Sequence, residues 1–411
     1  MAAAPKSRVV VMGGGFAGIA AVRALEDRHD VTLIDRKPSF EFLPNIHEIV
    51  SGLKRPGLVR LSLERVARHV GQTFVQDEVQ EIDPRARRVI TSSLEIPYDV
   101  LILAPGGTPR TSGVAGVETY GHYCWSAEHA EAIRRRLEVV AALPGRNHVT
   151  IVGGGFTGVE VLGEILRKHR RKGRLAVRLI ESGRRLMGDW PKVLHKRVKK
   201  IAEDHDVELR LATRVARVDE DHITLTTGES LPSQLTIWTA GARAPELLHK
   251  AGFAASKSGW VAVDQTLAAR EFPDVFLAGD AAELPRRVAK QGEEALRMGA
   301  RAAKNAMRLL RGRPLKAFRR DQAPLLVTFG DLNAFVLLED DTVLEGRALA
   351  AGRELVFQEN MSMFDDLAGG RPVERMSRRM AKGERKLGWS RSLFPWNAVD
   401  QMLGVRVHPR P

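Results

Sequence analysis

Apolar positions along this chain fall in short β-branched runs followed by glycine clusters and then by apolar residues at helical spacing. Two such blocks are near copies. In "RVVVMGGGFAGIAAVRAL", residues 8–25, the run Val9, Val10, Val11 predicts a buried strand, the glycines a tight turn, and the remainder a helix. "HVTIVGGGFTGVEVLGEIL", residues 148–166, repeats that order at an offset of 140 residues. Each block is followed by a second apolar strand that ends on an acid. "HDVTLIDRKP" ends its strand at Asp35, and "LAVRLIESGRR" ends its strand at Glu181. Strands alternating with helices in this way predict parallel sheets of α/β type, built twice.

The glycine spacing adds chemistry. Gly13, Gly15 and Gly18 fill G-x-G-x-x-G, and Gly153, Gly155 and Gly158 fill it again. The first glycine permits the turn, the second lets a pyrophosphate approach the backbone, and the third lets helix pack on strand. The helix N-terminus offers unpaired N–H groups and a positive dipole end to phosphates. Asp35 and Glu181 stand where a carboxylate binds a ribose hydroxyl pair. An acid at Glu181 favours a free 2′-hydroxyl and hence NADH, although Arg184 and Arg185 follow closely and keep NADPH open. Two dinucleotide folds imply two dinucleotides that exchange a hydride. One of them is a tightly held flavin, because nicotinamide alone cannot serve a one-electron partner or a quinone.

Composition narrows the class. Apolar content of 44% with 28% charge is that of a soluble globular protein, and 411 residues suggest two or three domains. No apolar run approaches the roughly 20 residues of a membrane-spanning helix. The first strand begins so close to Met1 that no cleavable signal fits before it, so a cytoplasmic location is expected. Cys124 is the only cysteine, which excludes a disulfide framework and any Cys-x-x-Cys redox or zinc site; no metal is expected. A buried structural thiol is the expectation for it.

The net charge is +14, and residues 371–411 carry ten Lys or Arg against Glu374, Glu384 and Asp400, which is +7. Such an excess suggests an anionic partner. After Gly330 the pattern changes to short strands with a turn near residues 339–341 and a helix from about Arg353. Val373, Met376, Met380 and Leu387, then Trp396, Val399, Met402 and Leu403, form apolar faces among arginines. That pattern predicts a helix lying in a membrane interface, with packing on the protein's own core as the alternative.

With these motifs in place the chain resembles the two-dinucleotide-domain flavoproteins of the pyridine nucleotide–disulfide oxidoreductase superfamily, and most of all the type II, single-subunit NADH:quinone oxidoreductases. The likeness spans roughly residues 8–330. It rests on the two glycine loops, on "YDVLILAPGG" (98–107, with Pro105 in place of the usual threonine), on "TIWTAGARAPELL", and on "VFLAGDAAEL" (275–284). "FLPNIHEIVSG" is similar to the F-x-P-x-x-x-E-x-x-x-G segment of the quinone enzymes through Phe42, Pro44 and Glu48. The resemblance implies a glutathione-reductase-like two-domain flavoprotein: an FAD domain in two parts, 1–112 and 263–325, an NADH domain at 113–262, and a C-terminal α+β region at 326–411.

It further implies that Gly13, Gly14, Gly15, Phe16, Ala17, Gly18, Asp35, Arg36, Val79, Ala104, Gly106, Gly279 and Asp280 bind FAD, with Asp280 on the ribityl chain. Gly153, Gly155, Phe156, Thr157, Glu181, Ala240 and Gly241 would bind NADH. Glu160, where the first copy has Ala20, would position the nicotinamide or relay a proton; a dipole-favoured acid near a helix start is the plainer alternative. Glu48 and His47 would serve the acceptor side, and Lys290 the flavin pyrimidine ring.

Departures bear on the acceptor. No cysteine pair follows the first unit, which excludes disulfide chemistry. Glu293 and Arg297 replace the glutamines that usually line the quinone pocket, while Lys290 and Gly292 resemble the Lys-x-Gly of sulfide:quinone relatives. The expected partner is a quinone, with an inner-membrane-face location through 371–411. A ferredoxin- or rubredoxin-type carrier and an apoptosis-inducing-factor-like nucleic-acid binder are the alternatives. No nucleic-acid module is recognisable, so specific nucleic-acid binding is not expected, and a homodimer is left open.

Overall fold

The computed structural model describes residues 6–25, 29–170, 173, 175–286, 288–319, 324–338, 341–364 and 406–408. They group into two compact units. The first comprises Met1–Glu41, Arg60–Thr108 and Ala242–Gln322; the second comprises Phe42–Val59, Pro109–Gly241 and Ala323–Pro411.

The first unit is built on a five-stranded parallel sheet. Its order is Val275–Leu277, Val100–Leu103, Arg8–Met12, Asp30–Asp35, Thr73–Gln76. Arg8–Met12 lies at the centre, which is why Val9, Val10 and Val11 are all buried instead of alternating. Helix Phe16–Ala24 covers the sheet, and helix Gly292–Leu310 crosses it closely. That crossing requires Gly299, since a Cβ there would stand 1.9 Å from the Ala17 carbonyl oxygen. An antiparallel trio, Val79–Asp83, Arg88–Thr91 and Glu95–Pro97, completes the unit.

The second unit repeats the plan. Its parallel sheet runs Gly121–Tyr123, Leu235–Trp238, Asn147–Val152, Leu175–Ile180, Glu208–Arg210, and its antiparallel trio is Val215–Val218, His222–Leu225 and Ser230–Pro232. The α/β class with two Rossmann-like sheets is therefore as expected. To this unit the C-terminal region adds an antiparallel sheet, Leu325–Phe329, Asn333–Leu337, Val343–Glu345 and Arg406–His408, and helix Leu349–Phe364. The apolar faces expected within 371–405 lie outside the described residues.

Two glycines bring the C-terminal sheet against the second unit's loop helix. A Cβ on Gly163, in helix Phe156–His169, would meet the Gly330 nitrogen at 2.3 Å. Gly330 itself turns with φ +57°. With no side chain at either position, the end of strand Leu325–Phe329 lies on the helix, which sets Thr328 beside Glu160.

Candidate active site

The two glycine loops are built alike, each within its own unit. In the first, Gly13 has φ +102°, and a Cβ on Gly18 would lie 1.7 Å from the Gly13 carbonyl oxygen. In the second, Gly153 has φ +113°, and a Cβ on Gly158 would lie 1.9 Å from the Gly153 oxygen. Both positions exclude side chains for reasons of backbone space. The Gly14 N–H donates to Asp35 Oδ2 at 2.6 Å, and the Gly154 N–H donates to Glu181 Oε2 at 2.7 Å. Each acid is thereby fixed at the mouth of its own loop. Burial pushes the Asp35 carboxyl up, against the bonds from Gly14 and Lys37 that hold it down.

Both loops also leave room for a phosphate. Gly15 and Gly155 have open space where a Cβ would stand, and neither following helix carries a side-chain cap at its N-terminus. Free N–H groups facing open space fit a pyrophosphate. Phe156 packs at a tilt against Trp190 with ring centroids 4.7 Å apart, and Thr157 is exposed at the helix start. Ala240 packs on the core of the second unit, and Gly241 turns with φ +99°.

The other flavin-motif residues sit around the first loop's sheet. Ala104 donates its N–H to Met12 O at 2.7 Å, Gly106 turns with φ +69°, and Gly279 turns with φ +74° against Ala17. Arg36 is exposed and pairs with Glu78 at 3.5 Å, next to Val79. Asp280 is pushed up by burial, opposed by the Lys290 charge. Lys290 Nζ donates to the carbonyls of Asp280 (2.6 Å) and Ala282 (2.8 Å) and lies 4.4 Å from the Trp260 ring centroid. The lysine is thus tied to the turn at Asp280–Ala282 while its side chain stays exposed.

In the second unit, the structure collects Glu160, Glu48 and His47 into one buried ionic cluster and adds residues that carried no local signal. Glu160 occupies the second turn of its helix, past the reach of the helix-start N–H groups. Its partner is instead Arg353, 193 positions away, whose Nη1 donates to Glu160 Oε1 at 2.5 Å and to Thr328 Oγ1 at 2.7 Å. Arg353 also donates to the Pro44 carbonyl. The Thr328 N–H reaches Glu160 Oε1 at 3.5 Å. Burial pushes Glu160 up, and Arg353 is the main opposing force.

His47 lies between these groups, 2% exposed. Burial, then the charges of Arg353, Arg167 and Lys54, hold its imidazole well below the usual range, so it is neutral. Thr328 Oγ1, which accepts from Arg353 Nη1, also lies within hydrogen-bond reach of His47 Nε2, 3.3 Å away. Nδ1, on the other side of the ring, faces Glu160 Oε2 at 3.7 Å. Glu48 accepts from Asn45 Nδ2 at 2.9 Å and pairs with Lys54 at 3.6 Å; Lys54 continues to Glu354 at 2.5 Å. Cys124 is buried as expected. Its thiol is pushed up to about 12 by burial and then by the Glu160 charge, which makes it a poor nucleophile.

Sequence reasoning missed a further acid. Glu164, one helical turn beyond Glu160, is fully buried, accepts from Ser51 Oγ, and pairs with Arg167 at 3.1 Å. Burial pushes it up to about 7. The arrangement supplies carboxylates, a fixed guanidinium and a neutral imidazole in one dry space. Such a set can hold a proton and yield it. Among the described residues no group of His, Cys, Asp and Glu could hold a metal ion.

Residues 7–307 match the family described as Pyridine nucleotide-disulphide oxidoreductase. The chain is 26% identical over 342 residues to a type II NADH:quinone oxidoreductase of Staphylococcus haemolyticus, covering 76% of this chain and 85% of that one. Its fold is similar to NDH2 of Plasmodium falciparum, solved in complex with NADH. That likeness has a TM-score of 0.73 at 16% identity, over 81% of this chain and 90% of that one. It is also similar to the sulfide:quinone oxidoreductase of Aquifex aeolicus, with a TM-score of 0.77 at 20% identity over 98% and 97%.

Proposed function

The chain belongs to the pyridine nucleotide-disulphide oxidoreductase family, and from that premise we propose that it passes electrons from NADH through FAD to a quinone at a membrane surface. The observation that carries the reading is the duplicated loop, open at Gly15 and at Gly155, with an acid bound to each middle glycine. FAD, when bound, supplies the two-electron carrier between a hydride donor and the final acceptor.

The first loop, Gly13 to Gly18 with Asp35 and Arg36, would hold FAD together with Val79, Ala104, Gly106, Gly279 and Asp280. Gly153, Gly155, Phe156, Thr157, Glu181, Ala240 and Gly241 would hold NADH. Glu181, held in place by the N–H groups of Gly154 and Gly183, would select against a 2′-phosphate by its negative charge. A lone buried thiol supports no dithiol chemistry, which favours a quinone acceptor, as in the relatives' names. On the acceptor side, Glu160 holds and yields a proton at Oε2, the oxygen that Arg353 leaves unbound. Glu48 and Lys54 connect that cluster to Glu354, which is half-exposed. Lys290 fixes the Asp280 turn.

Rapid mixing tests this. NADH should bleach the flavin, NADPH should do so far more slowly, and a short-chain quinone should restore the colour. Recolouring only by an iron–sulfur carrier protein, or no bleaching by either nucleotide, overturns the reading.

Attachment to the inner face of an anionic membrane through 371–411 belongs to the same proposal; the described residues contain no helix long and apolar enough to cross a membrane. Deleting the whole tail would also remove strand Arg406–His408, whose His408 pairs with Glu345 at 2.7 Å. Charge removal is the cleaner test. Replacing Arg378, Arg379, Lys382 and Lys386 with serine should release the protein from phosphatidylglycerol-containing vesicles, and undiminished binding would remove the tail from the proposal.

A further inference from the structure

Residues 301–320 carry eight Lys or Arg and no Asp or Glu up to residue 319. The structure turns this run into a concave site in the first unit. Arg301, Lys304 and Arg308 lie on the second half of helix Gly292–Leu310, and the chain then reverses so that Arg313 and Lys316 face them. With Arg311 they line a pocket of about 220 Å³ whose apolar floor is Met307. No carboxylate lines it, and among the described residues no salt bridge engages Arg301, Lys304, Arg308, Arg313 or Lys316.

The reversal is held in place from inside. Asn305, fully buried, donates to the carbonyls of Thr266 (2.8 Å) and Lys316 (2.9 Å) and accepts from the Lys316 N–H at 3.0 Å. Arg308 Nε donates to Pro314 O. With two of its three hydrogen bonds on Lys316 and the third on Thr266, Asn305 fixes this loop, and so fixes cations opposite cations. The negative end of the helix dipole accounts for a cation in the last turn, such as Arg308. It does not reach Arg301 or Lys304, and it does not act on Arg313 or Lys316 beyond the helix. Mutual repulsion among Arg301, Lys304, Arg308, Arg313 and Lys316 is unfavourable even in water. A ligand of opposite charge relieves it.

We propose that this cleft binds an anion bearing two or more clustered phosphates, presented by a lipid headgroup or by a free polyphosphate. Guanidinium forks grip phosphate oxygens in pairs, and the lysines add point charges at the rim. The space, about 220 Å³, is enough for more than a single small ion. The cleft shares no lining residue with the pocket at Gly279, Asp280 and Lys290, so this site is separate from the redox chemistry.

The test uses the full holoprotein with NAD⁺ saturating, which keeps the glycine loops filled, and inorganic tripolyphosphate in a calorimeter at low and high salt. Lys304→Ser/Arg313→Ser/Lys316→Ser removes three exposed cations from the cleft; Lys192→Ser/Lys196→Ser/Lys199→Ser removes three cations from the surface of a helix of the second unit. Both variants should keep wild-type NADH oxidation. One tripolyphosphate should bind per chain, with affinity at least about ten-fold lower in the cleft variant and unchanged in the other. No binding, or equal weakening by both triples, would reduce the cleft to diffuse positive charge and sink the proposal. Cardiolipin-containing phosphatidylcholine vesicles separate the sources. Displacement by tripolyphosphate together with a loss confined to the cleft variant identifies a lipid headgroup. Vesicle binding equal in the two variants, alongside cleft-dependent tripolyphosphate binding, identifies a free phosphate.

Discussion

Replacing Arg353 with methionine is expected to lower quinone turnover about 100-fold, in the range of a lost acid–base group, while NADH still bleaches the flavin at the wild-type rate. Arg353 is the main force that opposes the burial-driven rise of Glu160. Without it burial pushes the acid up unopposed by that charge, and Thr328 and the Pro44 carbonyl also lose their donor. Breaking one side of a buried ion pair costs on the order of 3–5 kcal/mol, so stability must be measured alongside activity. The double variant Glu160→Gln/Arg353→Met separates the two effects. It removes both charges, and it should recover much of the lost stability without recovering quinone turnover. Wild-type turnover in the single variant, or an equal fall in flavin reduction, would show that the pair has no role on the acceptor side.

That pair also marks where reading the sequence stops. The strands around Val9–Val11 and Ile151, the two turns at Gly13 and Gly153, and the acids Asp35 and Glu181 were all legible, because each is a local pattern with a local cause. A buried central strand shows as an apolar run, a positive φ as a glycine, and an acid held at a glycine loop as a spacing. Glu160 stood out because its counterpart in the first copy is Ala20. Arg353 did not, because nothing within its own helix distinguishes it from a solvent-facing arginine. Its meaning comes from the Gly163–Gly330 contact, which sets Thr328 and then the C-terminal helix against the second loop's helix. Packing between elements far apart in sequence decides such a pairing.

His47 and Glu164 show the same limit from two sides. His47 is a candidate by sequence, and the structure gives it a neutral ring set between Thr328 and Glu160. Glu164 drew no notice as an acid in an ordinary helical position. Its burial depends on segment Phe42–Val59, which the structure groups with the second unit and which contributes Ser51.

Glu164 gives the second large effect, and its sign is fixed by the direction of the shift. The carboxyl is near its ordinary 4.5 in the unfolded chain and is pushed up to about 7 in the folded protein, chiefly by burial. Ser51 and Arg167 oppose the rise, and the Glu48 charge adds to it. The folded state therefore binds the extra proton between these values. Stability is fully present below about pH 4.5 and is lost as pH rises through about 7, by roughly 3 kcal/mol in total. Glu164→Gln cannot ionise, and the amide still accepts from Ser51. Arg167 is only partly buried, so the cost of unpairing it is small. The variant should thus gain stability over wild type by about 3 kcal/mol between pH 4.5 and pH 8.5 in urea unfolding. A pH-independent difference between the two proteins would mean that Glu164 titrates alike in the folded and unfolded states, and that the space beside Glu160 is wetter than its burial indicates.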